Sequence, residues 1–226
     1  MNRMAELSKR LAELRMELEA EALRLNPEPW TELRGQEHCK RAIIVAAVQQ
    51  HTVCLIGCPG NGEELLQAGG ALLGVSVIIA QPCPCGRFTD PRLACRCTPT
   101  KILNWTRDKL LPLARLAQIH VECPPVPARE MLSKCFGSTL ADTRAQLGRK
   151  GPLPSRALDE AGTTILRQAA SELGLTKGAV DTCLDVARSV AALDGSPNLR
   201  AEHVCEAIHY RQLDRLIVAK YVPFPG

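Results

Sequence analysis

Aromatic residues are scarce in this chain: only 3% of its 226 residues are Phe, Trp or Tyr. Leu, Val, Ile and Ala must therefore fill any core it builds, and stacking of nucleobases on aromatic platforms has little to draw on. Long hydrophobic runs are missing too. The most apolar stretch, Gly69 to Ala80, contains glycines and is too short to cross a bilayer, while the amino-terminal segment is a charged amphipathic pattern rather than an export signal. These absences predict a cytoplasmic protein with no membrane partner. Charge of neither sign dominates, with 28 Lys and Arg against 24 Asp and Glu.

Cysteine, by contrast, is abundant. Eleven are present, and without an export signal a disulfide framework is a poor explanation. Four of them crowd into Cys83, Cys85, Cys95 and Cys97, two Cys-x-Cys pairs separated by the nine residues from Gly86 to Ala94. Gly86 and Pro91 are turn residues that let this loop fold the pairs together. Four thiolates so placed match a closed tetrahedral structural Zn2+ site with no open position for a catalytic water. Reduced free cysteines are the alternative, and an iron–sulfur cluster lacks its usual spacings. His120 is expected in or beside a strand, away from the metal. Cys39, Cys54, Cys58, Cys123, Cys135, Cys183 and Cys205 sit among apolar neighbours and are expected to be small buried hydrophobes.

The net charge of +4 is unevenly spread. Cys83 to Arg115 carries Arg87, Arg92, Arg96, Lys101, Arg107, Lys109 and Arg115 against Asp90 and Asp108, a local excess of +5 that leaves −1 elsewhere. Contact with phosphate backbones is thus expected around the cysteine loop, through Arg87, Arg92, Arg96, Lys101 and Arg107. A solvated loop and helix face would carry the same charges.

Met4, Leu7, Leu11, Leu14, Leu18 and Leu25 recur at alternating spacings of three and four, interrupted at Glu21, predicting an amphipathic helix over 1–25 that ends before Pro27 and Pro29. Such a stripe suits self-association, binding to a partner, or packing on the chain's own domain. The segment 30–150 reads as α/β. Gln36 to Gln50 predicts a helix, and His51 to Ile56 a buried strand running into Gly57-Cys58-Pro59-Gly60-Asn61-Gly62, the strand–glycine loop–helix order of a phosphate-binding loop. Val75 to Ala80 and Gln118 to Glu122 predict two further strands. Over 152–215 strand signals vanish. Ser155 to Glu172, Lys177 to Leu193 and Arg200 to Leu213 predict three helices, the last two capped by Thr176 and Asn198.

Five segments in order, "LRGQEHCKRAIIVAA", "LIGCPGNGEELL", "QPCPCGRFTDPRLACRCTP", "PLARLAQIHVEC" and "VARSVAALDGSPNLRAEHVCEAIHYRQLDR", resemble the magnesium-chelatase-like AAA+ proteins of the ComM type. The resemblance implies a reduced α/β P-loop core of three strands, a zinc-binding insertion over 83–97 and a helical lid over 152–215. It also implies bacterial, ring-forming ATPase relatives associated with DNA handling.

Departures from the family pattern are as informative as the match. At Gly57, Pro59, Gly60 and Gly62 the glycine loop is kept, but the Lys and Ser/Thr that hold phosphate and magnesium correspond to Glu63 and Glu64. Two carboxylates facing a triphosphate reverse the sign of the interaction at close range. The acidic magnesium strand should follow, yet only twelve residues separate Gly62 from Val75, with no Asp or Glu after Glu64. The Asn that senses the γ phosphate corresponds to Gln81. The trans-acting arginine falls on Leu116 with Arg115 one residue out of register, and the lid's sensor arginine falls on Gly178. No catalytic residue and no ATP are therefore expected.

Three functions follow as expectations. The first is a non-catalytic, zinc-binding AAA+-like scaffold or adaptor that associates with itself or a related AAA+ subunit. The second is a DNA-binding module using the basic zinc loop or the helix-turn-helix-like "ASELGLTKGAVDTCL", against which stand Asp181 and Asp185 on the helix that would enter the groove. An active ATPase motor is disfavoured by every departure above.

Overall fold

A computed structural model of the chain describes residues 28–88, 90–133, 137–211 and 213–214, together with Arg10, Leu14, Glu17, Glu21 and Arg24. Those five are helical and exposed; the other residues of the expected 1–25 helix lie outside the described residues, as does Cys135.

A short helix α1 (Pro29–Glu32) leads to α2 (Glu37–Gln49), β1 (Val53–Gly57), α3 (Glu63–Leu72) and β2 (Val77–Ala80). After the cysteine loop come α4 (Pro99–Trp105), a π-helical turn (Thr106–Leu110), α5 (Leu111–Leu116) and β3 (Ile119–Cys123). The rest is helical: α6 (Ala128–Met131), α7 (Leu140–Gly148), α8 (Glu160–Glu172), α9 (Lys177–Leu193) and α10 (Ala201–His209).

The three strands form a parallel sheet in the order β2-β1-β3, with Val53 opposite both Val77 and Ile119. Every residue of β1 is buried, as expected of a central parallel strand covered on both faces, and this is why its sequence is continuously apolar instead of alternating. β2 begins at Val77 rather than Val75, because Gly74 takes a positive φ of 70° and turns the chain before pairing can start. A four-residue link, Leu73–Ser76, is all that joins α3 to β2, so no strand intervenes where the magnesium-holding one was expected.

α2 joins the two halves. Its buried residues include Cys39, Ala42, Ile43, Val45 and Ala46, and one continuous apolar cluster runs from Leu55 and Ile119 of the sheet through α2 to Cys183, Val186 and Val190 of α9. Each large side chain fully buried here contributes roughly 1.5–3 kcal/mol of transfer free energy. Polar ties reinforce the contact. Gln49 Nε2 donates to Asp185 O (2.7 Å) and Ser189 Oγ (2.8 Å), and Arg41 pairs with Glu206 at 3.0 Å.

The helix starts differ from expectation where a cap decides them. α8 begins at Glu160, not Ser155, since Asp159 accepts from Gly162 N at 2.6 Å. α10 begins at Ala201 with Arg200 in the capping position, so Asn198 is not the cap, and Arg200 N bonds His203 Nδ1 at 3.1 Å instead. Thr176 does cap α9, accepting from Ala179 N. α7 was not foreseen, although Thr139 and Asp142 form a reciprocal capping box that its sequence shows.

Within β3, His120 N donates to Tyr210 O at 2.7 Å, and Arg211 sits against Asp214 as a buried bidentate pair (2.6 and 3.0 Å) while donating to the carbonyl of Gln118. Tyr210, Arg211 and Asp214 thereby fasten the helical half to the sheet edge. Among the described residues no helix is long and apolar enough to cross a membrane.

Candidate functional site

Two loops leave the carboxyl ends of neighbouring parallel strands and meet. The first is the glycine loop after β1. Gly60 and Gly62 take φ values of 89° and 93°, which L side chains rarely adopt, so the tight path into α3 requires glycine there. Asn61 Nδ2 donates to Cys58 O at 2.6 Å and closes the loop on itself. Gln36 supports it from beneath, its Nε2 donating to Asn61 O (3.2 Å) and Pro124 O (2.6 Å).

Glu63, the first residue of α3, folds back into this loop. Its Oε2 accepts from the Asn61 backbone N–H at 2.7 Å, and the residue is only 3% exposed. Backbone N–H groups at a helix amino terminus are the usual means of holding phosphate. Here the chain's own carboxylate takes one of them. Glu64 follows on the exposed side. Beside the two lies a cleft of about 180 Å³ lined by Gly57, Pro59, Gly60, Glu63, Glu64, Ile79 and Gln81.

The second loop carries the cysteines. Cys83 and Cys85 follow β2 directly, and Gly86 closes a turn by donating its N–H to Cys83 O. Cys95 and Cys97 precede α4, whose Thr98 cap accepts from Lys101 N. All four sulfurs lie within 4.8 Å of one another, with Cys83–Cys85, Cys83–Cys95 and Cys85–Cys95 at 3.4, 3.8 and 3.6 Å. A tetrahedron with Zn–S bonds of about 2.3 Å has edges of about 3.8 Å. The cluster therefore has the dimensions of a four-thiolate metal site.

Its electrostatics point the same way. The backbone N–H groups of Arg96 and Arg87 pull the Cys85 thiol down to about 6. The Cys97 N–H favours the Cys95 thiolate, yet burial and the neighbouring Cys85 and Cys83 sulfurs outweigh it and push Cys95 up to about 12. Four sulfurs this close ionise at one another's expense until a cation shares their charge. His120 is remote from them, inside β3 with its Nε2 bonded to Ala117 O.

The chain belongs to the magnesium-chelatase ChlI family. Residues 29–75 match the family model described as magnesium chelatase, subunit ChlI, and residues 127–211 match that of the ChlI C-terminal region. The first match spans the glycine loop; the cysteine loop lies between the two. No curated protein matches the chain.

In this family member the two loops are locked together. Arg92 Nη2 donates to Asn61 Oδ1 at 3.2 Å while its guanidinium grips Asp90 through Nε–Oδ1 (3.0 Å) and Nη2–Oδ2 (3.1 Å). Gly86 packs on Pro59 so closely that an added Cβ would come within 2.9 Å of its ring. Trp105 Nε1 donates to Gln81 O, tying α4 to the exit of β2.

The five basic candidates consequently separate. All five are exposed, but Arg92 is paired with Asp90 at 3.0 Å and Arg107 with Asp108 at 2.7 Å. Leu116 stands 62% exposed at the end of α5, and Gly178 is exposed in the first turn of α9. Asn61, Gln36 and Asp90 were not singled out from the sequence, although Asp-Pro-Arg at 90–92 is a turn signal with a ready-made ion pair. Cys205 corrects an expectation: it is exposed, because it follows buried His203 and Val204 onto the outer face of α10. Cys39, Cys54, Cys58, Cys123 and Cys183 are buried as expected, and burial pushes Cys54 up to about 12 and Cys183 up to about 11.

Proposed function

We propose that this chain is a non-catalytic, AAA+-like scaffold or adaptor built around a structural Zn2+, of the ComM-like branch of its family, working with itself or with a related AAA+ subunit in a DNA-processing assembly. The observation that carries the reading is the Glu63 carboxylate, which accepts the Asn61 N–H within the glycine loop at the position the resemblance assigns to the phosphate-binding Lys. An incoming triphosphate would have to displace that bond and then face Glu63 and Glu64, whose repulsion at close range is a matter of a few kcal/mol per charge pair. The short Leu73–Ser76 link supports the same conclusion, as it leaves no strand to carry magnesium ligands. Cys83, Cys85, Cys95 and Cys97 would hold the Zn2+, whose role is to cross-link a sheet of only three strands.

Calorimetry with magnesium and ATP tests the reading directly. No saturable heat is expected; nucleotide binding at millimolar concentration overturns it. Assembly is tested by light scattering on the full chain and on a chain lacking residues 1–25, the shorter one being expected to lose mass without losing its melting transition. For the DNA-binding alternative, exposed Arg87, Arg96 and Lys101 are the support. The helix-turn-helix version is disfavoured, because α9 packs into the shared core through Cys183, Val186 and Val190.

A further inference from the structure

Arg10, Leu14, Glu17, Glu21 and Arg24, the described residues of the amino-terminal segment, are all helical and all exposed. Their spacings of four, three, four and three place them along one side of a helix. Leu14 belongs to the middle of the leucine stripe, and at 50% exposure it is left open by the rest of the described chain. A lone helix of this length is marginal in water, so its stripe needs a surface to be buried against.

The charges beside the stripe indicate which surface. In heptad register, Met4, Leu11, Leu18 and Leu25 take position a, and Leu7, Leu14 and Glu21 take position d. Arg3, Arg10, Glu17 and Arg24 fall at g, and Ser8, Arg15 and Ala22 at e. If two copies ran parallel, each g residue would face the e residue of the next heptad. Arg10 would then meet Arg15 on both sides, and Glu21 would meet its own counterpart inside the seam. Both contacts are repulsive.

In an antiparallel pair, a layers with d and g faces g. Leu11 then layers with Leu14 and Leu7 with Leu18, while each Glu21 lies beside Met4 instead of a second carboxylate. Arg10 faces Glu17, and the two-fold axis repeats that contact. Like charges meet only where Arg3 faces Arg24, at the two ends, where helices fray.

We propose that residues 1–25 pair with the same segment of a second copy of this chain as an antiparallel two-helix coiled coil, fixed in direction by reciprocal Arg10–Glu17 contacts. A second copy is the partner this pattern fits, because a two-fold interface must be complementary to itself, and here it is. The proposal rests on the reading that the chain associates with itself, and it adds the surface and its direction.

The test is sedimentation equilibrium of the full chain over a dilution series at low salt, alongside Arg10→Glu, Glu17→Arg, the double variant, and a chain lacking residues 1–25. The natural chain should dimerise, and the truncated chain should not. Each single reversal turns two attractive contacts per dimer into repulsive ones and should weaken dimerisation about tenfold. The double variant swaps the two charges and should return to within about threefold of the natural chain, which shows that neither single loss is a folding defect. Direction is read from Arg10→Glu alone. In a parallel pair the new carboxylate would face Arg15 and tighten the dimer, so tightening overturns the antiparallel claim while leaving self-association intact. Failure of the double variant to recover overturns the Arg10–Glu17 contact, again without touching self-association. A natural chain that stays monomeric at every concentration defeats both the proposal and the self-association on which it rests.

Discussion

Arg92 reaches from the cysteine loop to the glycine loop, its Nη2 donating to Asn61 Oδ1 at 3.2 Å while the same guanidinium grips Asp90. The two loops leave adjacent strands, so this contact couples the four-cysteine cluster to the mouth of α3. Replacing Arg92 by Ala strips Asp90 of its partner and frees Asn61. Faster loss of zinc to a chelator and a melting temperature lower by a few degrees are expected. Unchanged zinc release would show that the loops are independent.

Elemental analysis should find one zinc per chain in freshly purified protein, and Ser at any one of Cys83, Cys85, Cys95 or Cys97 should release it and lower stability. Chelation should reproduce the effect without mutation, since much of the binding free energy of such a site is folding free energy. Ala at Cys183, buried in the helical half, should leave metal content unchanged while still costing some stability.

Arg211 and Asp214 form a buried pair, each under a tenth exposed. Removing one partner leaves the other charge uncompensated, so Arg211→Ala should cost about 3–5 kcal/mol in chemical denaturation. Replacing both by Met and Leu should recover much of that loss. A small cost for the single variant would mean that the pair is open to water in solution.

His51 is buried against Ser189 Oγ at 3.2 Å, and burial holds its pKa below the usual 6.5, with Asp185 opposing the shift. The sign follows from linkage. Above about pH 6.5 the ring is neutral in both states, and on acidification the unfolded chain takes up the proton first, so stability falls as pH drops below that value. Melting at about pH 7.5 and pH 5.5 should show a larger acid-induced loss in the natural chain than in His51→Gln. Equal losses would assign the acid sensitivity to carboxylates alone.

What the sequence determined by itself is what local chemistry encodes. Periodicity and length marked α2 and α9, the continuous apolar run marked β1, and the spacing of two Cys-x-Cys pairs around Gly86 and Pro91 marked a four-sulfur site that the fold indeed brings within 4.8 Å. The loss of Lys and Ser/Thr at Glu63 and Glu64 was equally visible. Only the tertiary structure decided where those groups point and what they meet. That Glu63 turns inward to the Asn61 N–H depends on the positive-φ path through Gly60 and Gly62, and on Gln36 holding the loop from 25 residues away. Arg92, read from sequence as one more exposed cation, is bound to Asn61 because β1 and β2 are neighbours in the sheet, a pairing no local pattern specifies. Cys205 is exposed and Cys183 buried for the same reason: composition is alike at both, and only the packing of α10 and α9 assigns each a side.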